Sequence, residues 1–303
     1  MGAANVIPGV SGGTIALITG IYNELISTLK SFNGKALKLL FTFKIKAFFS
    51  HINFSFLFIL FFGAIVGIVS LGKFFKWVIE LKRDVNGVPI AHGYEPILFA
   101  LFFGLILASV YYVGKTIKKW NFNSILSGLI GCSLAILLVM VKPASESDDV
   151  LYLFLCGIIA MSSMLLPGLS GSFVLILMGN YYLIMIDSVQ NFDLKVLGSV
   201  FLGAIVGFVI LSNLISFLLD KFEDITLSSL TGFIFGSLVT IWPWKTIVRE
   251  NEKVDELKEV IVGYKDWVFP DFSSFDLLLI LFIVIGFLMV FGFEFFAKKL
   301  SSK

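Results

Sequence analysis

Residues 150–186 read VLYLFLCGIIAMSSMLLPGLSGSFVLILMGNYYLIMI, a stretch of 37 residues with no charged side chain. As one helix it would extend about 55 Å, against a bilayer hydrocarbon core of about 30 Å. Its middle, Pro167-Gly168-Leu169-Ser170-Gly171-Ser172, opposes a continuous helix. Proline lacks an N–H and pushes its predecessor towards extended backbone, and glycine admits a tight reversal. Cut at the break, the halves are about 25 and 21 Å long, short for a crossing. The reading is a re-entrant helical hairpin that enters the membrane, turns and leaves by the same side.

The motif has a twin. Pro8-Gly9-Val10-Ser11-Gly12 matches Pro167-Gly168-Leu169-Ser170-Gly171 at an offset of 159, continuing through Gly20-Ile21-Tyr22 and Gly179-Asn180-Tyr181. Gly63-Ala64-Ile65-Val66-Gly67 recurs identically as Gly203–Gly207, and Phe102-Phe103-Gly104 resembles Ile234-Phe235-Gly236. Three blocks in the same order mark an internal duplication. Repeat 1 covers about residues 1–141 and repeat 2 about 150–297, within one integral membrane domain spanning 1–303. Seven residues precede Pro8 whereas Val150–Leu166 precede Pro167, so the entry arm of the first hairpin is expected to be missing its beginning.

Composition points the same way. Hydrophobic residues make up 58% of the chain, charged residues 15%, and mean hydropathy is +0.97; soluble domains run near 45–50% apolar and 25% charged. Six further runs have the length and apolarity of single spans: about Phe54–Ile79, Pro96–Val113, Phe122–Val141, Val196–Leu219, Thr226–Trp242 and Phe275–Phe296. The five tryptophans fall near their ends, as interfacial residues do. Cys132 and Cys156 lie in apolar runs without metal-ligand spacing, and no metal or other cofactor is expected. No basic stripe suits nucleic acid.

With six single crossings and two hairpins, one set of loops comprises residues 30–53, 114–121, 220–225 and the tail from Lys298. It holds 12 Lys and Arg and three acids, against nine and 15 on the other side. The first set is assigned to the cytoplasm. Three crossings then separate equivalent points of the repeats, so their topology is inverted. The predicted fold is therefore all-α: about six transmembrane helices plus two re-entrant hairpins whose tips meet near midplane, a carrier-like arrangement.

Each break places glycine and hydroxyl residues at the start of a helix, where unpaired N–H groups and partial positive charge suit an anion. Candidate anion-binding residues are Ser11, Gly12, Gly13, Thr14, Ser170, Gly171 and Ser172. The alternative is that both breaks are packed structural turns. Lys73, late in the first span, is a candidate for drawing in an anionic headgroup, or it snorkels to the interface. Glu24, two residues after Tyr22, is a candidate coupling group or an interfacial acid.

The stretch Gly2-Ala3-Ala4-Asn5-Val6-Ile7-Pro8-Gly9-Val10-Ser11-Gly12-Gly13-Thr14, with Gly20-Ile21-Tyr22, resembles the signature of the bacterial polyprenyl-phosphate transporters, and the likeness runs through the chain. The resemblance implies a multi-pass protein of the bacterial plasma membrane and no enzyme. It implies a translocase returning undecaprenyl phosphate from the outer to the inner leaflet for cell-wall (peptidoglycan) synthesis. The partners are then the lipid phosphate and the membrane. The motif also resembles that of membrane undecaprenyl-pyrophosphate phosphatases, in which Pro-Gly-x-Ser is followed by Arg-Ser; here Gly12-Gly13 and Gly171-Ser172 stand instead. Hydrolysis and small-anion transport are the competing readings.

Overall fold

The computed structural model describes residues 12–80, 95–251, 259–265, 267–270 and 274–301. Two seven-residue helices follow the two breaks at the same offset of 159, α1 (Gly12–Ile18) and, later, α9 (Gly171–Leu177). After α1 come α2 (Tyr22–Lys30), α3 (Gly34–Phe41), α4 (Ile45–His51), α5 (Phe54–Glu80), α6 (Glu95–Thr116), α7 (Phe122–Met140) and α8 (Val150–Leu165). After α9 come a π turn over Leu183–Asp187, α10 (Ser188–Gln190), α11 (Leu194–Lys221), α12 (Glu223–Ser237), a 3-10 turn over Leu238–Ile241 and α13 (Ser274–Ser301).

Among the described residues, four helices are long and apolar enough to cross a membrane, or five if Ile45–His51 and Phe54–Gly67, bent by 67° at their junction, form one span. The chain is a multi-pass membrane protein. The four are Pro96–Thr116, Phe122–Met140, Leu194–Lys221 and Glu223–Ile241, matching four of the expected runs; the run at Phe275–Phe296 lies within α13.

Two expectations change. The segment 30–53, read as a loop, folds into α3 and α4. Asn33 starts α3 by accepting from the backbone N–H of Lys35 and Ala36, and lysines alternate with exposed Phe41, Phe43 and Phe49, the composition of a helix lying in an interface. The loop after Trp242, expected to be irregular in an all-α chain, carries an antiparallel hairpin of β1 (Thr246–Asn251) and β2 (Glu259–Lys265). Its β-branched residues favour extended backbone.

The helices cross through small residues, as expected where apolar side chains gain nothing by leaving lipid for protein. Gly104 of α6 and Gly286 of α13 face each other so closely that a Cβ on either would meet the other helix's backbone carbonyl, Ile283 or Leu101. Gly131 of α7 and Gly232 of α12 repeat this crossing against Ser229 and Gly128. Each crossing joins a helix of one repeat to a helix of the other. Gly236, one turn after Gly232, also lies against α7, with Cys132 O 2.5 Å from an added Cβ. Within repeat 2, Gly203 and Gly207 of α11 lie against Phe154 and Ile158 of α8, with Gly157 reciprocating against Val200. These pairings rise together in number, so α8 and α11 run parallel.

The break after α8 follows from its sequence. Leu166, before proline, is extended at φ −83° and ψ 121°. Gly168 has φ +90° and lies 3.1 Å, counted from an added Cβ, from the backbone of Ile234, a place for no other residue. The chain then returns through α9 until Met178 O accepts from Tyr152 Oη at 2.8 Å, closing a helical hairpin. Both short helices end alike. Gly20 and Gly179 have φ +73° and +72°, and Ile21 and Asn180 each donate N–H five residues back.

Candidate functional site

The segments that follow the two breaks approach α11 from opposite ends. Near its start, Val196 packs with Leu153 of α8 and with Ile184 beyond α9. Near its end, Lys30, at the exit of the first hairpin, donates to Ser216 Oγ at 2.9 Å and lies 3.9 Å from Asp220. Lys118, between α6 and α7, pairs with Glu223 at 2.6 Å, and its N–H donates to Asp224. Segments 30–53, 114–121 and 220–225, assigned above to one side, thus gather in space. At the other end, Asn180, wholly buried, accepts from Ser147 N–H and donates to Ser147 O, strapping residues 142–149 over the second hairpin.

Between these ends the breaks touch. Thr14 Oγ1, fully buried, accepts the N–H of Gly168 at 2.8 Å. Tyr22 Oη donates to Leu165 O at 2.9 Å, which satisfies a carbonyl at the end of α8 that the helix itself cannot bond. Both join segments more than 140 residues apart through buried side chains.

Beside these ties lies a cavity of about 460 Å³. Its polar end holds Gly12 and Gly13 from the first break and Ser170, Gly171 and Ser172 from the second. The hydroxyls of Ser170 and Ser172 are 2.8 Å apart. Its walls are apolar, and five pairs among the lining residues correspond at the sequence offsets. Gly12 and Gly13 answer to Gly171 and Ser172, and Leu25 to Ile184, at offset 159; Leu60 and Ala64 answer to Val200 and Ala204 at offset 140. The cavity therefore draws part of its lining from both copies of the duplicated sequence blocks.

The candidate residues are sorted by this geometry. Gly12, Gly13, Ser170, Gly171 and Ser172 share the cavity. Thr14 bonds the opposite break. The absent side chain of Gly171 serves packing: a Cβ there would lie 2.7 Å from Met164 Cγ and 3.0 Å from Ala160 O. Glu24 is exposed and accepts from Asn53 Nδ2 at 3.0 Å, away from the cavity lining. Ser11 lies outside the described residues. Lys73 is placed on α5, and its side chain lies outside the described residues.

Sequence reading missed the walls. Met161 and Met164 of α8, Phe61 of α5 and Phe208 of α11 line the cavity, but in an apolar helix every residue has the composition of a core or lipid-facing position. The duplicated offsets could have found Leu60 and Val200, since they fix which helix faces correspond.

A family described as undecaprenyl phosphate translocase-like matches residues 1–258. A polyprenyl-phosphate transporter of Vibrio cholerae is 33% identical over 99% of this chain and 94% of its own length. One of Staphylococcus aureus is 31% identical over 80% of this chain and 83% of its own. No solved structure matches.

Proposed function

We propose, since this chain belongs to the undecaprenyl phosphate translocase-like family, that it carries polyprenyl phosphate, undecaprenyl phosphate in particular, from the outer to the inner leaflet of the bacterial plasma membrane. The observation that carries this reading is the cavity that takes lining residues from both copies of the duplicated blocks, polar at the breaks and apolar beyond them. An amphiphile with a phosphate head and an isoprenoid tail has that polarity.

The phosphate is held by the Ser170 and Ser172 hydroxyls beside the glycine backbone of both breaks. Hydrogen bonds to a charged oxygen are strong where water is excluded. Neutral donors also let the head leave again, since no buried cation has to be stripped of its counter-charge. The repeats are read as inverted, with both hairpins re-entrant. This is supported by their approach from opposite ends of α11 and by the exchange of α6–α13 with α7–α12 crossings. Rocking one repeat against the other around the shared cavity would open it to each leaflet in turn.

Among the described residues, the cavity lining includes no Arg, His or carboxylate that could stabilise or protonate a transferring phosphoryl group. That favours carriage over hydrolysis, and the apolar walls favour a lipid over a small free anion. The deciding experiment is a leaflet-resolved assay of labelled undecaprenyl phosphate in proteoliposomes. Protein-dependent loss of outer-leaflet label without phosphate release supports the reading; phosphate release, or flux of inorganic phosphate alone, refutes it.

A further inference from the structure

Phe61 lines two spaces at once: the central cavity, and a groove of about 370 Å³ on α5 walled by Phe54, Leu57, Phe58, Phe62 and Ile65 and closed at its far end by Phe32 and Ile52. Along α5, phenylalanines recur every fourth residue. The rings of Phe54, Phe58 and Phe62 follow one another at 6.0 Å, the last two stacked within 12° of parallel, and Phe49 extends the row at 4.5 Å from Phe54. Phe58, Phe61 and Phe62 are each about 60% exposed.

We propose that this aromatic row seats the isoprenoid chain of the lipid phosphate, which leaves the central cavity past Phe61 and runs along α5. The inference rests on the carrier reading above and adds to it a basis for choosing the tail. The groove and the cavity that holds the polar end meet at Phe61, which lines both, so one amphiphile can reach from one into the other. A polyprenyl chain carries a double bond and a methyl branch in every unit. A row of exposed ring faces offers polarisable surface to each unit, whereas the saturated, unbranched chains of the bilayer gain less from it. The methionines Met161 and Met164 at the cavity end adapt to a branched chain. Bulk phospholipid lying against α5 is the rival occupant, and it predicts no preference for isoprenoids.

The test uses the full chain in nanodiscs and three probes: geranylgeranyl phosphate, hexadecyl phosphate and inorganic phosphate. After correction for partition into the bilayer, the parent should bind geranylgeranyl phosphate about tenfold more tightly than hexadecyl phosphate. Phe58→Leu and Phe61→Leu, which keep apolar bulk on a lipid-facing helix, should bring the two affinities within about threefold. Ser170→Ala should weaken both lipid phosphates and leave their ratio intact. A photoreactive p-benzoylphenylalanine replacing Phe58 should capture geranylgeranyl phosphate, and one replacing the exposed Phe217 of α11 should not. Equal affinities for the two lipids in the parent, or equal capture at both positions, overturn the tail seat while leaving the carrier reading standing. Failure of the parent to bind either lipid phosphate overturns both.

Discussion

Replacing Thr14 with valine probes the contact on which the arrangement of the two breaks depends. Valine has the shape of threonine without the hydroxyl, so packing around a fully buried side chain is retained. The N–H of Gly168, now bonded to Thr14 Oγ1 at 2.8 Å, would face a methyl group. It cannot turn elsewhere, because Gly168 is fixed at φ +90° with the backbone of Phe233 and Ile234 against it. A buried donor left unmade costs about 1–3 kcal/mol. For a chain of this size each kcal/mol moves the unfolding temperature by roughly 2–4 °C, so Thr14→Val should lower it by about 2–12 °C. Thr14→Ser, which keeps the acceptor, should lose less than half of that. Thermal unfolding of the purified protein in one detergent, with both variants side by side, measures the difference. A valine variant as stable as the parent would show that the hydrogen bond from Gly168 to Thr14 contributes nothing to holding the two halves together.

Ser170→Ala and Ser172→Ala should each weaken lipid-phosphate binding by about 1.5–3 kcal/mol, as for a lost bond to a charged group, with insertion unaffected; unchanged affinity in a direct binding assay would make the breaks structural turns. Gly171→Leu should fail by a different route, pushing α9 off Met164 and Ala160, so a drop in unfolding temperature must accompany its loss of transport. Cysteines placed at Lys35 and Gln190, both exposed, should be labelled from the cytoplasm and from outside respectively; labelling from one side only would refute inverted repeats. Glu223 raises the pKa of Lys118 above its ordinary value. The folded state therefore holds this proton more firmly than the unfolded chain does, and the tie between the α6–α7 turn and α12 persists below about pH 10.5. It is lost as pH rises through the raised value, so Lys118→Met should remove a pH dependence of unfolding confined to that alkaline range.

The membrane class, the two breaks and the duplication are written in the sequence, because each rests on local or repeated chemistry. Pro167 and Gly168 stop a helix wherever they stand, 20-residue apolar runs cannot be dissolved in water, and a motif recurring at a fixed offset needs no structure to be seen. The two helices also end at the same offset, at Ile18 and Leu177. What the sequence left open depends on contacts distant along the chain. An apolar side chain facing lipid and one facing a cavity are the same residue type, so nothing marked Met164 or Phe61 as lining a site. Thr14 had the composition of an anion donor; only the arrival of Gly168, 154 residues later in the chain, gave its oxygen a proton to accept. Gly232 and Gly236 lie on one face of α12 and both meet α7, at Gly128 and Cys132, a close approach that only packing reveals. Segment 30–53 read as a polar loop because its lysines counted towards charge, while its backbone coils into α3 and α4 with Phe41, Phe43 and Phe49 exposed among those lysines.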